Sequence, residues 1–251
     1  MTSPVRVTAA VLIIGDEILS GRTRDTNLND IARYLAPFGV DVAEARVVGD
    51  EKGAIIAALN ALRAAFDYVI TTGGIGPTHD DITADCVAQA FGVELEEHPE
   101  IIAMMAARWG GELNAARRRM ARAPVGGSLV KNPVQGPPGF QIGNVFVLAG
   151  VPQVMRGMLE DVGPRMRSGA VVVSRTVRVE GIGEGVMAAP LEALARAHPA
   201  LSLGSYPFFG EAGYGSNLVV RGRSEAEVAA AAEALEAALS GLGARSITRV
   251  E

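Results

Sequence analysis

The chain has 251 residues, 49% hydrophobic and 20% charged, and carries a net charge of −5 at pH 7. That length accommodates one large domain or two modest ones, and the apolar content excludes a disordered, collagen-like or coiled-coil chain. A single cysteine, Cys86, excludes a disulfide framework and a cysteine-built zinc site, and 28 acidic against 23 basic residues exclude the dense basic surface of a non-specific nucleic-acid binder.

The alternation of periods begins at once. Val7 to Ile14 is a continuous apolar run ending in Gly15, the pattern of a strand buried on both faces. It is far shorter than the ~18 residues of a membrane span and follows no basic n-region, so no membrane and a cytoplasmic, reducing compartment are expected. A helical stripe at Leu28, Ile31 and Leu35 stops at Gly39, and Val40 to Val48 reads as a second strand. Ile55, Leu59, Leu62 and Phe66 form the next helix, and Tyr68 to Thr72 a third strand. Alternation of this kind predicts right-handed crossovers and a doubly wound, mostly parallel α/β sheet. Helix is expected through Phe91 and again from Pro99 to Met120, then a strand at Val145 to Leu148 and a helix from Pro152 to Met166.

From Ala170 the pattern changes. Val171 to Val179 alternates like a half-exposed strand, and Leu191 and Leu194 lie on a helix ending near His198. Leu201 to Tyr206 and Leu218 to Val220 read as short strands around a Gly-rich loop, followed by an alanine-rich helix and a last strand at Ser246 to Val250. This order predicts a small α+β domain of the split βαβ kind. The expected domains are residues 1–168 and 169–251.

Ligands of open α/β sheets bind beyond the carboxyl ends of the strands. Those ends carry Gly15-Asp16-Glu17, Gly49-Asp50-Glu51, Gly73-Gly74-Ile75-Gly76-Pro77-Thr78-His79-Asp80-Asp81 and Ala149-Gly150-Val151-Pro152. Glycines at 73, 74 and 76 permit close approach of backbone N–H groups to an anion, and a helix starts just after them. The alternative is a tight turn with Asp81 as a helix cap. Asp80 and Asp81, with Asp16 and Asp50 at neighbouring strand ends, would repel phosphate unless a cation lies between. Mg²⁺ held by one or two carboxylates and phosphate oxygens resolves the conflict.

The segment from Thr72 to Thr83 resembles the signature of the MoaB/Mog molybdopterin-binding family. Its Gly-Pro-Thr-x-Asp-Asp form is similar to the N-terminal part of competence/damage-inducible protein A (CinA). Gly15 to Gly21 with Asp25-Thr26-Asn27, Asn132-Pro133, Gly136 to Phe140 and Leu148 to Pro152 resemble other motifs of the family. Gly181 to Glu184 and Ser205 to Pro207 resemble the smaller domain that follows in CinA-like chains.

The resemblance implies the molybdopterin-binding-type fold and a ligand with phosphates, either molybdopterin or a nucleotide. In the CinA-like case it implies a metal-dependent ADP-ribose pyrophosphatase, and in the Mog-type case a molybdopterin adenylyltransferase. A module that binds ligand without turnover is the third reading. The roles it implies are catalysis by Asp50 and Asp81, and Mg²⁺ held by Asp50, Asp80 and Asp81. Gly73, Gly74, Gly76, Pro77, Thr78, Gly150 and Pro152 would contact phosphates, while Asp16 and Asn27 would orient a ribose or pterin. The family's nicotinamide-mononucleotide deamidase domain has no counterpart in these residues. Ile75 stands where Mog-type chains have Thr, Ala149 where Pro is usual, and Gln153 and Val154 where Glu often appears; the 149–154 loop is therefore expected to treat ligand differently.

Arg117, Arg118, Arg119 and Arg122 form a basic patch on the expected helix. Arg118 and Arg122, four apart, could clamp a phosphate, against the plainer reading of a solvated face. His79 is expected as an exposed loop residue rather than a proton shuttle, and Cys86, Met104, Met105 and Trp109 as packing. Tyr206, Phe208, Phe209 and Tyr214 cluster in the Gly-rich loop, where they could close over a ligand or make a subunit contact. The expected partners are a small phosphate-bearing molecule and further copies of the chain, with no nucleic acid.

Overall fold

The computed structural model describes residues 5–210 and 213–250. They form two compact units, Val5–Gly169 and the part from Ala170 onward.

In the first unit β1 (Val7–Ile14) is buried on both faces because its side chains alternate between two cores. Ala10, Leu12 and Ile14 join one core; Val7, Ala9, Val11 and Ile13 join the other. A short turn of helix, α1 (Asp16–Leu19), precedes α2 (Asn27–Leu35), which buries Ile31 and Leu35 on the second face. The chain then turns at Gly39, in the left-handed region at φ 69°, into β2 (Val40–Val48). Helix α3 (Lys52–Ala65) packs Ile55, Leu59 and Leu62 on the opposite face. Its start is capped by Glu51, which accepts from the Gly53 and Ala54 N–H groups at 2.9 and 2.7 Å. Its end is held by Asn144, whose side-chain amide donates to the Arg63 and Phe66 carbonyls.

After β3 (Tyr68–Thr72) comes α4 (Thr83–Phe91), which buries Cys86 and Val87. β4 (Leu95–Glu97) and β5 (Arg122–Pro124) pair as a small antiparallel ribbon around α5 (Pro99–Trp109) and α6 (Ala115–Arg119). The single helix expected over 99–120 is thus two. Gly110 and Gly111, both at positive φ, end the first, and Asn114 caps the second by accepting the Arg117 N–H at 2.9 Å.

β6 (Ser128–Val130) and β7 (Gly139–Ile142) form a hairpin pairing antiparallel to β8 (Val145–Leu148), and α7 (Pro152–Val162) returns over the second face. The strand order is β2-β1-β3-β8-β7-β6, with the first four parallel. This is the mostly parallel α/β architecture expected from the sequence.

The second unit runs β9 (Val173–Glu180), α8 (Glu184–Ala197), β10 (Ser202–Gly210), β11 (Gly213–Gly222), α9 (Glu225–Leu239), β12 (Ser246–Val250). Its antiparallel sheet has the order β10-β11-β9-β12, so β11 is inserted between β9 and β10 in the split βαβ manner. Val177, Val179, Leu218 and Val220 pack against Met187, Leu194, Val228 and Leu235. The Gly-rich loop expected to hold the aromatics is instead a long hairpin, with Phe208 opposite Gly215 and Phe209 opposite Tyr214; residues 211–212 lie outside the described part. Gly215 belongs to the ladder because a Cβ there would meet the Val179 carbonyl at 2.0 Å. Among the described residues no helix is long and apolar enough to cross a membrane.

Candidate functional site

β1 is followed by a crossover to β2 on one face, and β2 by a crossover to β3 on the other. The reversal of winding therefore falls between β1 and β3, where open sheets leave a crevice. The ends of the parallel strands are in line: Ile14 pairs with Val48, Ile13 with Thr72, and Thr72 with Leu148. The loops that leave them touch at close quarters. Gly73, at φ 101°, lies so near β1 that a Cβ would stand 2.1 Å from the Ile14 carbonyl oxygen, and one on Gly150 would stand 3.1 Å from the Gly73 Cα. At position 73 only glycine fits.

Thr83 ties the Gly-rich turn to the start of α4. Its hydroxyl donates to the Gly73 carbonyl at 2.9 Å and its N–H to the Gly74 carbonyl at 3.0 Å. Asp81 closes the outer turn by accepting the Thr78 N–H at 2.8 Å and the Thr78 hydroxyl. Its carboxylate also lies against Gly76, where a Cβ would come within 2.6 Å of it. Asp81 is therefore a loop clasp, not a helix cap; Ile82 holds the cap position and makes no side-chain bond there. The Gly74, Ile75 and Gly76 N–H groups have no hydrogen-bond acceptor among the described residues.

Between β1 and β2 the carboxylates of Asp16 and Asp50 exchange bonds. The Asp16 N–H donates to Asp50 Oδ2 at 3.0 Å, and the Asp50 N–H to Asp16 Oδ1 at 3.3 Å. Gly49 makes this possible, since a Cβ would collide with Asp16 Oδ1 at 2.3 Å. Partial burial pushes the Asp50 carboxyl above its ordinary range; the Asp16 N–H opposes that, and the charges of Asp16, Glu17 and Asp80 reinforce it. The Thr78 hydroxyl, its own amide, His79 and Arg119 instead hold the exposed Asp80 low.

A cleft of about 490 Å³ opens beside these loops, walled by Gly73 to Gly76 and Asp81, by Ala149 to Pro152 with Val154, by Asn132, Gln135 and Pro137, and by Glu17, Thr23 and Met120. Gly150 and Pro152 line it, and so do Ala149 and Val154, where the sequence departs from the family pattern. Pro77 and Thr78 are exposed outside it. Asn27 lies beneath it, its Nδ2 donating to the Gly150 carbonyl at 2.8 Å, so it holds the β8 loop; its buried Oδ1 has no partner.

Asp50, Asp80 and Asp81 do not form a three-carboxylate cage. Among the described residues no group of three or more His, Cys, Asp or Glu side chains is placed to hold a metal ion. Asp81 is turned onto Thr78 and Asp50 onto Asp16. Arg118 and Arg122 make no phosphate clamp, and neither is simply solvated: Arg118 bonds Glu97 through two nitrogens, and Arg122, on β5 beyond the end of α6, bonds Asp85 at 3.0 and 2.7 Å. His79 is exposed, 3.7 Å from Asp80, and Met105 is buried while Met104 is not.

Residues 10–168 match the family model described as "Probable molybdopterin binding domain". A crystal structure of the protein CinA from Thermoplasma acidophilum, of unknown function, superposes with a TM-score of 0.58 at 34% identity, covering 61% of this chain and 94% of that one. This chain belongs to the molybdopterin-binding-domain family, among its CinA-like members. CinA-like proteins of Gemmatimonas aurantiaca and Desulfovibrio desulfuricans are 36% and 35% identical over 78% and 90% of the chain. The alignments cover 50% and 54% of those relatives, so the chain spans about half the length of the curated relatives it matches. Residues 171–246 match the model described as "FAD synthase, middle domain". Met120, which walls the cleft, and the particular roles of Thr83 and Arg119 escaped the sequence reading. Thr83 looked like an ordinary first-turn residue, and nothing in a run of arginines shows which of them pair with a carboxylate and which do not.

Proposed function

We propose that the cleft binds the pyrophosphate of an ADP-ribose-like nucleotide and that the protein hydrolyses it with Mg²⁺. The observation that carries this reading is the run of three N–H groups, Gly74, Ile75 and Gly76, without an internal acceptor, at the edge of the cleft and before the N-terminus of α4. Such a run binds phosphate oxygens. Ile75, Val151 and Val154 offer an apolar wall to the flat base and exclude water from one side of the phosphates.

The donor set fits a hard cation. No cationic side chain pairs with Asp16, Glu17 or Asp50 among the described residues, and the charges of Asp16, Glu17 and Asp80 add to the burial that makes Asp50 costly to ionise. Mg²⁺ needs only one or two carboxylates plus substrate oxygens, so the lack of a three-residue cage is compatible with it. Asp50 and Asp80, whose charges act on one another, would hold the ion together with the phosphate oxygens. When bound it would neutralise the phosphates beside the carboxylates and make a water more acidic.

The exchange with Asp16 fixes the direction of the Asp50 carboxylate, and a carboxylate held there would take the proton of the attacking water. The water oxygen bonds to one phosphorus, the bridging P–O bond breaks, and AMP and ribose phosphate leave. Incubation with ADP-ribose and Mg²⁺ is expected to yield these two products. Asp50→Ala is expected to lower kcat at least a hundredfold, and a chelator to abolish turnover. Absence of product, with Asp50→Ala and Asp81→Ala binding ADP-ribose as wild type does, overturns the hydrolase. Product that forms only with ATP and molybdopterin identifies an adenylyltransferase instead.

A further inference from the structure

Four arginines lie between residues 117 and 122, and three are already engaged. The Arg117 guanidinium lies 5.0 Å over the Trp109 ring, Arg118 is bound to Glu97, and Arg122 to Asp85. Arg119, the last residue of α6, differs. Its guanidinium has no hydrogen bond or ion pair among the described residues, although the residue is half-buried and its Nε is shielded from solvent. Its backbone is pinned, because its carbonyl accepts from the Arg122 Nε at 3.2 Å. It lines a recess shared with Gly74, Ile75, Gly76 and Asp81, the same turn that edges the main cleft. Asp80, whose carboxyl is held low first by Thr78, also feels the Arg119 charge without forming an ion pair with it.

A shielded guanidinium donor without an acceptor is expensive unless an anion meets it, and its planar fork suits two phosphate oxygens. The Gly74–Gly76 amides offer a second set of anion donors on the adjoining wall. We infer that Arg119, in the recess on the far side of the Gly-rich turn from the cleft, is a phosphate-binding residue, so that the site selects ligands with two linked phosphoryl groups, one on the amides and one on Arg119. This rests on the reading of the Gly-rich turn as a phosphate site and extends it to what the site selects. The competing role is structural, with Arg119 serving only as a countercharge for Asp80.

The test is calorimetric titration of the full chain with inorganic pyrophosphate, inorganic phosphate and ADP-ribose. Wild type, Arg119→Gln, Arg119→Lys and Arg118→Gln are compared, after melting curves show that each is folded. Loss of a charge-assisted bond is expected to weaken pyrophosphate about tenfold in Arg119→Gln. Inorganic phosphate should weaken by less than about threefold, Arg119→Lys should be intermediate, and Arg118→Gln should match wild type. Pyrophosphate binding unchanged in Arg119→Gln, equal losses for both anions, equal loss in Arg118→Gln, or a wild type that binds neither anion overturns the inference. Arg119-dependent pyrophosphate binding without ADP-ribose binding leaves the inference standing and removes the nucleotide from the proposed function.

Discussion

Asp67 stands where α3 has ended and β3 begins, and one side chain there secures three segments. Its Oδ2 accepts the Thr8 N–H at 2.8 Å and the Thr8 hydroxyl at 3.1 Å, and its Oδ1 accepts from Arg167 at 2.9 Å. The Thr8 backbone bond, more than the Arg167 charge, lowers its carboxyl below the ordinary range. A carboxyl that binds protons more weakly folded than unfolded stabilises the fold above its unfolded value. That contribution fades as pH falls below about 4. Asp67→Asn is therefore expected to cost about 1 kcal/mol at neutral pH, allowing for its partial exposure, and to flatten the acid side of stability against pH. Denaturant melts of both proteins at pH 7 and pH 3 check this: the difference must shrink at pH 3. None of this was legible beforehand, because an Asp at a helix–strand junction is unremarkable until its distant partners, Thr8 and Arg167, are known.

At the scale of elements, the strands that carry the site were the easiest to read. β2, β3 and β8 match their expected bounds, because strands covered on one or both faces keep long apolar or alternating runs. β6 and β7 were missed: they are three and four residues long, and the Asn-Pro and Gly-Pro-Pro segments between them signal only turns. The two strands of the β10–β11 hairpin were expected, but shorter, and its outer part was taken for a Gly-rich loop because Gly215 marks close backbone approach rather than a break. The Gly-rich turn was located correctly, but not its fastening. Thr83 is fully buried and donates to the Gly73 carbonyl, so Thr83→Val keeps the shape and leaves that carbonyl without its side-chain donor. The expected cost is about 1–2 kcal/mol. Gly73→Ala is expected to cost more, at least about 2 kcal/mol, since its Cβ meets backbone at an unfavourable φ. Thermal melts rank the two; a Gly73→Ala protein as stable as wild type would contradict the packing of the β1 and β3 loops described above.

At the scale of the molecule, one sheet of the first unit, set between two cores, aligns four strand ends, and the Gly-rich turn, the Asp16 and Asp50 loops and the Ala149–Pro152 loop spring from that line. The sequence named those ends and their glycines and carboxylates. It did not show which groups have partners within the protein: Asp81 with Thr78, Asp50 with Asp16, Arg118 with Glu97. What is left over is the run of amides at Gly74, Ile75 and Gly76, and the functional account stands on them. Amide NMR spectra recorded during titration with ADP-ribose and Mg²⁺ test them directly. The account predicts that these three resonances shift furthest, downfield as their N–H groups meet phosphate oxygens, and that adenosine, which lacks phosphate, does not reproduce the shift. Resonances at 74–76 that stay in place while ADP-ribose saturates the protein would contradict it.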